Sequence, residues 1–303
     1  MNAKQKLKLT LMFAALPLLP VQSVLNAATY TIPASTADQT VLIRNTVNGM
    51  ASGDTLTFAS GNHYISGWVD IYFNGCLVQG SGAVIRKIGG SNSGLNCHGN
   101  NNTFNLIEID GGGPGTLGPC MVFDGGTGNH ITNSKFHNSG NDAGLLLNNV
   151  HLTVVDGCEC RDNYMVGISQ SGSTDDTIKN TIMQFNGAEG LTIDAGSHNC
   201  FVSNCYIHSN NSPHRGVGGV GIDASNGANI TGSTIDYNGN DGVCFKNNLN
   251  IVDDGCNIHN NQNISFNGQA AIGIYKNHLV THLGTAGNTY SGNQWNGVHI
   301  YTQ

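Results

Sequence analysis

The sequence predicts an all-β chain: a single-domain, right-handed parallel β-helix of roughly 10–12 coils with a short N-terminal capping helix. Three observations carry this. A short apolar alternation recurs down the chain. The segments between its copies lack helical periodicity. The composition, with 42 Gly and 41 Asn among 303 residues, favours tight turns.

The alternation can be followed residue by residue. It reads Met121-Val122-Phe123-Asp124, Gly144-Leu145-Leu146-Leu147-Asn148, Gly167-Ile168-Ser169-Gln170-Ser171 and Gly190-Leu191-Thr192-Ile193-Asp194. It continues as Gly219-Val220-Gly221-Ile222-Asp223, Gly242-Val243-Cys244-Phe245-Lys246, Ala271-Ile272-Gly273-Ile274-Tyr275 and Gly297-Val298-His299-Ile300-Tyr301. From Gly144 onward the copies are spaced by 23, 23, 29, 23, 29 and 26 residues. A unit of that size holds two or three short strands and cannot bury its apolar face alone, so neighbours must stack. A leucine-rich repeat would show a fixed Leu frame, and a propeller blade needs about 40 residues. The two 29-residue intervals mark insertions near 210–218 and 253–262, expected as loops that wall a groove.

The ends have their own readings. Lys4, Lys6 and Lys8 precede an apolar run from Leu9 to about Val24, and small residues follow at Ala27 and Ala28. Residues 1–27 are expected to be a cleaved signal peptide, which makes the protein secreted, extracellular or periplasmic. A membrane anchor is the weaker reading, because the run is short and holds Pro17 and Pro20. No later stretch is long enough to span a bilayer. Residues 28–303 form the β-helix domain, opened by an amphipathic cap helix over 36–50 with Thr36 as N-cap. The chain finishes on a strand at Ile300 without a capping segment, an end expected to self-associate or to be covered by Tyr301.

Charge narrows the partners. Only 10% of residues are charged, where a soluble domain carries about 25%. The net charge is −7; loss of the leader's three lysines leaves nine basic residues against nineteen acidic ones, a mature charge of −10. That excludes a nucleic-acid footprint. A polyanion would need a bridging cation to approach.

Nine cysteines in an exported chain suggest disulfides, with one left over. Cys76, Cys97 and Cys120, spaced by 21 and 23 residues, are expected to stack, either as bridges or as buried thiols. Metal binding is not expected of Cys158 and Cys160. Asn163, Asn186, Asn238, Asn267 and Asn293 precede the repeated strand by four residues and read as a turn ladder bonded coil to coil. Histidines such as His130, His137 and His208 are expected at coil surfaces.

Strand alternation sends two apolar positions inward and leaves the residue after them outward. Down the stack that outward position reads Asp124, Asn148, Ser171, Asp194, Asp223, Lys246, Tyr275 and Tyr301. Asp194, Asp223, Lys246 and Tyr275 thus form one ladder with rungs about 4.8 Å apart. Gly221 and Gly273 beside it are expected to leave an open trough. The 210–218 insertion brings in His214 and Arg215, and Lys276 adjoins Tyr275. An incidental ion pair on a solvated stripe is the bland alternative. An extended sugar chain is the ligand such a groove suits.

At these residues the chain resembles the pectate-lyase-like superfamily. The start, a helix followed by Gly53-Asp54-Thr55-Leu56, is similar to that group's amino-terminal end. Gly239-Asn240-Asp241-Gly242-Val243-Cys244-Phe245-Lys246-Asn247 resembles the segment carrying the catalytic lysine of family 9 pectate lyases. Gly218-Gly219-Val220-Gly221-Ile222-Asp223 is similar to that family's calcium-binding stretch, with Asp194 one coil earlier. The family places two further acids where this chain has Gly218 and Gly219. The resemblance implies a carbon–oxygen lyase acting on an acidic polysaccharide, pectate foremost. Lys246 is then the base and Tyr275 the acid or a stacking ring. Asp194 and Asp223 would hold Ca²⁺ with a reduced ligand set, and Arg215, His214, Lys276 and Asp241 would bind substrate. A hydrolase using Asp194 and Asp223, or Asp175 and Asp176, shares the fold, though the polygalacturonase Asn-Thr-Asp strand is absent. A uronan C5-epimerase lacks its Asp-Pro-His signature here. A non-catalytic carbohydrate-binding adhesin is the remaining class.

Overall fold

Each coil is three short strands joined by corners whose backbone only a few residue types tolerate. The computed structural model describes residues 27–89, 94–194, 196–211, 218–223, 227–246, 257–259, 263–265, 270–275, 287–293 and 295–301. The strands form three parallel sheets of ten, eleven and ten members, so the chain is a right-handed parallel β-helix. In one coil, His130–Thr132 belongs to the first sheet, Lys135–His137 to the second and Leu145–Asn148 to the third. Each pairs with the strand one coil on: Ile131 with Val155, Phe136 with Cys160 and Leu147 with Gln170.

The corner between the first and second sheets is two residues wide, and its first residue is left-handed at every well-formed coil. Asn133, Gly157, Asn180, Asn204 and Gly232 have φ of 49°, 65°, 52°, 52° and 63°. Asn and Gly are the residues that enter this region at least cost, which explains their abundance here. The apolar residues between corners point inward and stack, with Phe58, Phe104, Phe123 and Phe136 fully buried. Phe104 and Phe123 meet edge-to-face at 5.1 Å.

The corner after the second sheet carries the expected Asn ladder. Asn163 donates from its backbone N–H and its amide to Asn186 Oδ1 at 3.2 and 3.0 Å. Asn186 does the same to Asn210 Oδ1, and Asn210 to Asn238 Oδ1. Asn210 was not among the residues spaced for the ladder, because the 210–218 insertion follows it and moves it nine residues ahead of Gly219. Asn293 is buried as well, and Asn267 lies outside the described residues.

Three expectations change. The helix spans Thr40–Gly49 rather than 36–50. Ser35–Asp38 instead pairs as a strand with His63 and Tyr64, and Asp38, not Thr36, accepts the Thr40 N–H at 2.9 Å. The face carrying Ile43 and Val47 closes the first coils. Cys76, Cys97 and Cys120 do not stack. Cys76 precedes a strand of the first sheet, Cys97 opposes Phe123 in the third, and Cys120 precedes that strand. The first coils are longer and less regular than the later ones, so equal sequence spacing there is not equal register. The eight described cysteines are buried free thiols. Burial pushes Cys120, Cys158 and Cys200 up to about 12 and Cys97 and Cys205 up to about 11, which removes them as nucleophiles.

Residues 1–26 of the expected leader lie outside the described residues. No described helix is long and apolar enough to cross a membrane.

Candidate functional site

The third sheet carries the predicted ladder. Within its strands Val220, Val243 and Ile272 are buried in one inward column, as are Leu191 and Leu145. Two residues on, the register sets Ile193 against Ile222, and Ile222 against Phe245. Asp223 and Lys246 are therefore direct partners across adjacent strands. Asp194 follows Ile193 one rung before them. Tyr275 follows Ile274, the partner of Phe245, one rung after, and is itself paired with Tyr301. Four residues dispersed over 82 positions of sequence, Asp194 to Tyr275, thus occupy four successive rungs at about 4.8 Å.

Basic residues elsewhere are already engaged. Nine follow the leader. Arg44 donates to the Trp68 carbonyl at 2.6 Å. Arg86 pairs with Asp110, Lys135 with Glu159, Arg161 with Glu159 and Asp162, and Lys179 with Asp156. Lys87 is buried and donates to three carbonyls, those of Leu117, Gly118 and Pro119, at 2.8–3.0 Å; burial lowers its pKa. The other three are Arg215, Lys246 and Lys276. Lys246 is in the ladder, while Arg215, His214 and Lys276 lie outside the described residues.

Two expectations do not survive. Asp241 has 0% exposure, so it is not available to grip substrate. It stands two residues before inward-facing Val243, and the period of two sends both the same way. The trough beside the acids is not open either, because Gly221 and Cys244 are buried. Gly218 and Gly219 explain themselves sterically. A Cβ on Gly218 would lie 1.9 Å from the Asp241 carbonyl oxygen, and one on Gly219 would lie 2.7 Å from Asn238 Nδ2. No acid fits at either position in this backbone. Among the described residues no group of three metal-ligating side chains forms. Of the alternative acid pair, Asp176 is buried, accepts from the Thr153 N–H and from Gln170, and is pushed up to about 7 by desolvation. It serves the interior.

The same outward column extends further toward the N-terminus than the ladder read from sequence. Tyr72 and His98 are its first members, by the pairing of Ile71 with Cys97 and of Cys97 with Phe123. His98 stacks on Tyr72 with ring centroids 4.8 Å apart. Its Nε2 is 3.5 Å from Asp70 and its Nδ1 3.7 Å from Asp124, while Asn148 donates to Asp124 at 2.7 Å. The signal was present in Val69-Asp70-Ile71-Tyr72 and Leu95-Asn96-Cys97-His98, which alternate with the same parity as the later strands.

No protein-family model matches the chain, and no curated relative does. Solved structures do. A Geobacillus virus E2 protein, ORF18, matches over 89% of this chain with 13% identity and a TM-score of 0.60; the chain spans 60% of its length. Pectate lyase Pel9A matches over 89% of this chain and 78% of its own, with 13% identity and a TM-score of 0.59. An endo-xylogalacturonan hydrolase from Aspergillus tubingensis matches over 89% and 95%, with 13% identity and a TM-score of 0.55. At that identity the likeness establishes the right-handed parallel β-helix and nothing about substrate.

Proposed function

We propose that this protein is a secreted polysaccharide lyase that cleaves a uronic-acid polymer, pectate foremost, by β-elimination. The observation that carries the reading is the direct pairing of Asp223 with Lys246, in a chain whose six other described basic residues are tied up elsewhere. The likeness to a pectate lyase fold supports it.

In this reading the neutral amine of Lys246 takes the C5 proton of the uronate. The electron pair forms the C4–C5 double bond, and the C4–O bond to the leaving sugar breaks. Tyr275 protonates the departing oxygen. Arg215, His214 and Lys276 grip carboxylates of neighbouring sugars. Asp194 and Asp223, on adjacent rungs, suit a hard cation such as Ca²⁺, completed by substrate and water oxygens. When bound, that cation neutralises the uronate carboxylate and stabilises the carbanion developing beside it. With Gly218 and Gly219 closed to side chains, only these two carboxylates hold it, so the affinity is expected to be weak.

The test is the ultraviolet absorbance of unsaturated products from pectate, alginate and glucuronan, with Ca²⁺ or with chelator. A rise abolished in Lys246→Ala supports the lyase. New reducing ends without absorbance overturn it in favour of hydrolysis, for which Asp70 and Asp124 on either side of His98 are the specific alternative. Binding without turnover on any polyuronate would leave a carbohydrate-binding adhesin.

A further inference from the structure

The second sheet has an outward face of its own, and its character changes along the stack. The early coils carry ion pairs: Glu108 with His137, Lys135 with Glu159, and Arg161 with Glu159 and Asp162. From Ile182 onward the same columns turn aromatic. Ile182, Tyr206 and Thr234 continue the column of Glu159. Gln184, His208 and Asp236 continue that of Arg161.

Four rings gather there. His208 stacks on Tyr206 at 5.0 Å and meets Tyr237 and Phe185 edge-on at 5.3 and 5.9 Å. Its Nδ1 is held by the buried carboxylate of Asp236 at 2.7 Å. The outer rings remain in solvent: Phe185 is 52% exposed and Tyr237 55%.

Two features make this an expensive way to decorate a coil. Large aromatic groups are exposed on consecutive rungs. Phe185 and Tyr237 also sit in left-handed backbone, with φ of 56° and 54°, where bulky residues are strained. On other coils the same position, the one after the strand's last residue, is Asn138, Asp162 or Ser209. Asn and Asp accept that conformation readily. Neither folding nor solubility asks for aromatic rings at this corner.

We propose that Phe185, Tyr206, His208 and Tyr237 form a second carbohydrate-binding site, a platform for neutral pyranose rings, separate from the ladder on the third sheet. Apolar C–H faces of the sugar lie on the rings, and hydroxyls bond the Nε2 side of His208 and the Tyr hydroxyls. Phe185 and Tyr237 are two coils apart, about 10 Å, comparable with the repeat of a disaccharide in an extended chain. Charge selects a neutral ligand. The residues of the patch include Asp236 and no lysine or arginine, so a uronate meets no fixed cation there. The choice of a glycan as occupant rests on the reading of the protein as polysaccharide-acting; the patch itself does not depend on the lyase chemistry.

The test is retardation in native affinity gels containing galactan, xylan or mixed-linkage glucan, with the full protein and a Phe185→Asn/Tyr237→Asn double variant. Asn relieves the backbone strain, so the variant is expected to keep its Tm or gain a few degrees while losing at least 10-fold in affinity for a retarding glycan. Lys246→Ala should keep that retardation although lyase activity is gone, so the two sites fail separately. No retardation by any neutral polymer overturns the proposal. So does retardation by pectate alone, or a wild-type dimer that the double variant converts to monomer in light scattering, which would make the patch an interface between copies.

Discussion

From Asn163 to Asn238 one buried corner keeps the same side chain on four successive coils. Over the same coils the outward column of the third sheet, entered at Asp124, runs Asp, Asn, Ser, Asp, Asp, Lys. Both columns obey one register and one rise. They differ in what a neighbour demands. In the corner every amide must be the acceptor for the coil before and the donor to the coil after, so a change on one rung orphans groups on two others. On the outward face water satisfies whatever is placed there, and each rung is free to differ. Repetition therefore marks the positions that hold the stack, and departures from repetition mark the positions where chemistry can be written.

Four perturbations would break or sharpen that contrast. The largest effect is expected outside. Lys246→Ala should reduce turnover of a uronan by 10²–10⁴-fold, the usual contribution of a general base, with no change in Tm. A comparable activity in the variant would reduce the ladder to a solvated stripe.

The second is inside. Asn186→Ala removes an acceptor used twice by Asn163 and a donor used by Asn210 and by the Cys160 carbonyl. At about 1–3 kcal/mol for each buried group left unpaired, the loss should be roughly 5 kcal/mol in denaturant unfolding. Product formation well below the Tm should be unaltered.

The third tests a rung where an interior column departs from its own rule. Asn102 and Asn129 each accept a backbone N–H from the preceding coil, as Asp176 does from Thr153. Asp176 is a carboxyl, raised from 3.8 to about 7 by burial. The folded state therefore holds a proton that the unfolded chain releases near 4. Stability falls as pH rises from about 4 to 7 and is flat above, a loss of about 4 kcal/mol at 1.36 per pH unit. Asp176→Asn should recover up to that amount at pH 8 and nothing at pH 3. The Gln170 Oε1, a buried oxygen without a hydrogen-bond partner among the described residues, gains a donor once the new amide faces it. Equal effects at both pH values would contradict the assignment.

The smallest effect is none. With the eight described thiols free and buried, dithiothreitol should leave the Tm unchanged, and alkylating reagents should modify those eight only after unfolding. A Tm drop of several degrees on reduction would mean that a bridge exists.

Much of this was legible before any coordinates. The inward columns and the ladder follow from a period of two repeated at a near-constant interval, which is why Asp194, Asp223, Lys246 and Tyr275 fell on adjacent rungs. Legibility failed where the interval failed. The first coils are longer, so the spacing of Cys76, Cys97 and Cys120 implied a stack that does not exist, and Tyr72 and His98 went unread as members of the column. Asp241 was misread for a different cause: its place in a Gly/Asn turn suggested exposure, while its parity with Val243 already pointed inward. The aromatic corner of the second sheet was invisible because one-residue strand ends in left-handed backbone leave no pattern beyond the residue itself.

The regular corners make the coil a unit of length as well as of structure. Between Asn148 and Ser171 lie 23 residues that begin and end at equivalent points of the third sheet. Excising 149–171 would rejoin Asn148 to Gly172 with every interior column still in step. The outward ladder would shorten by one rung, about 4.8 Å, and bring the Asp70–His98–Asp124 cluster that much nearer to Lys246. A lineage built on such a chain can tune the distance between two groups by whole coils, through deletion or duplication, without redesigning either group.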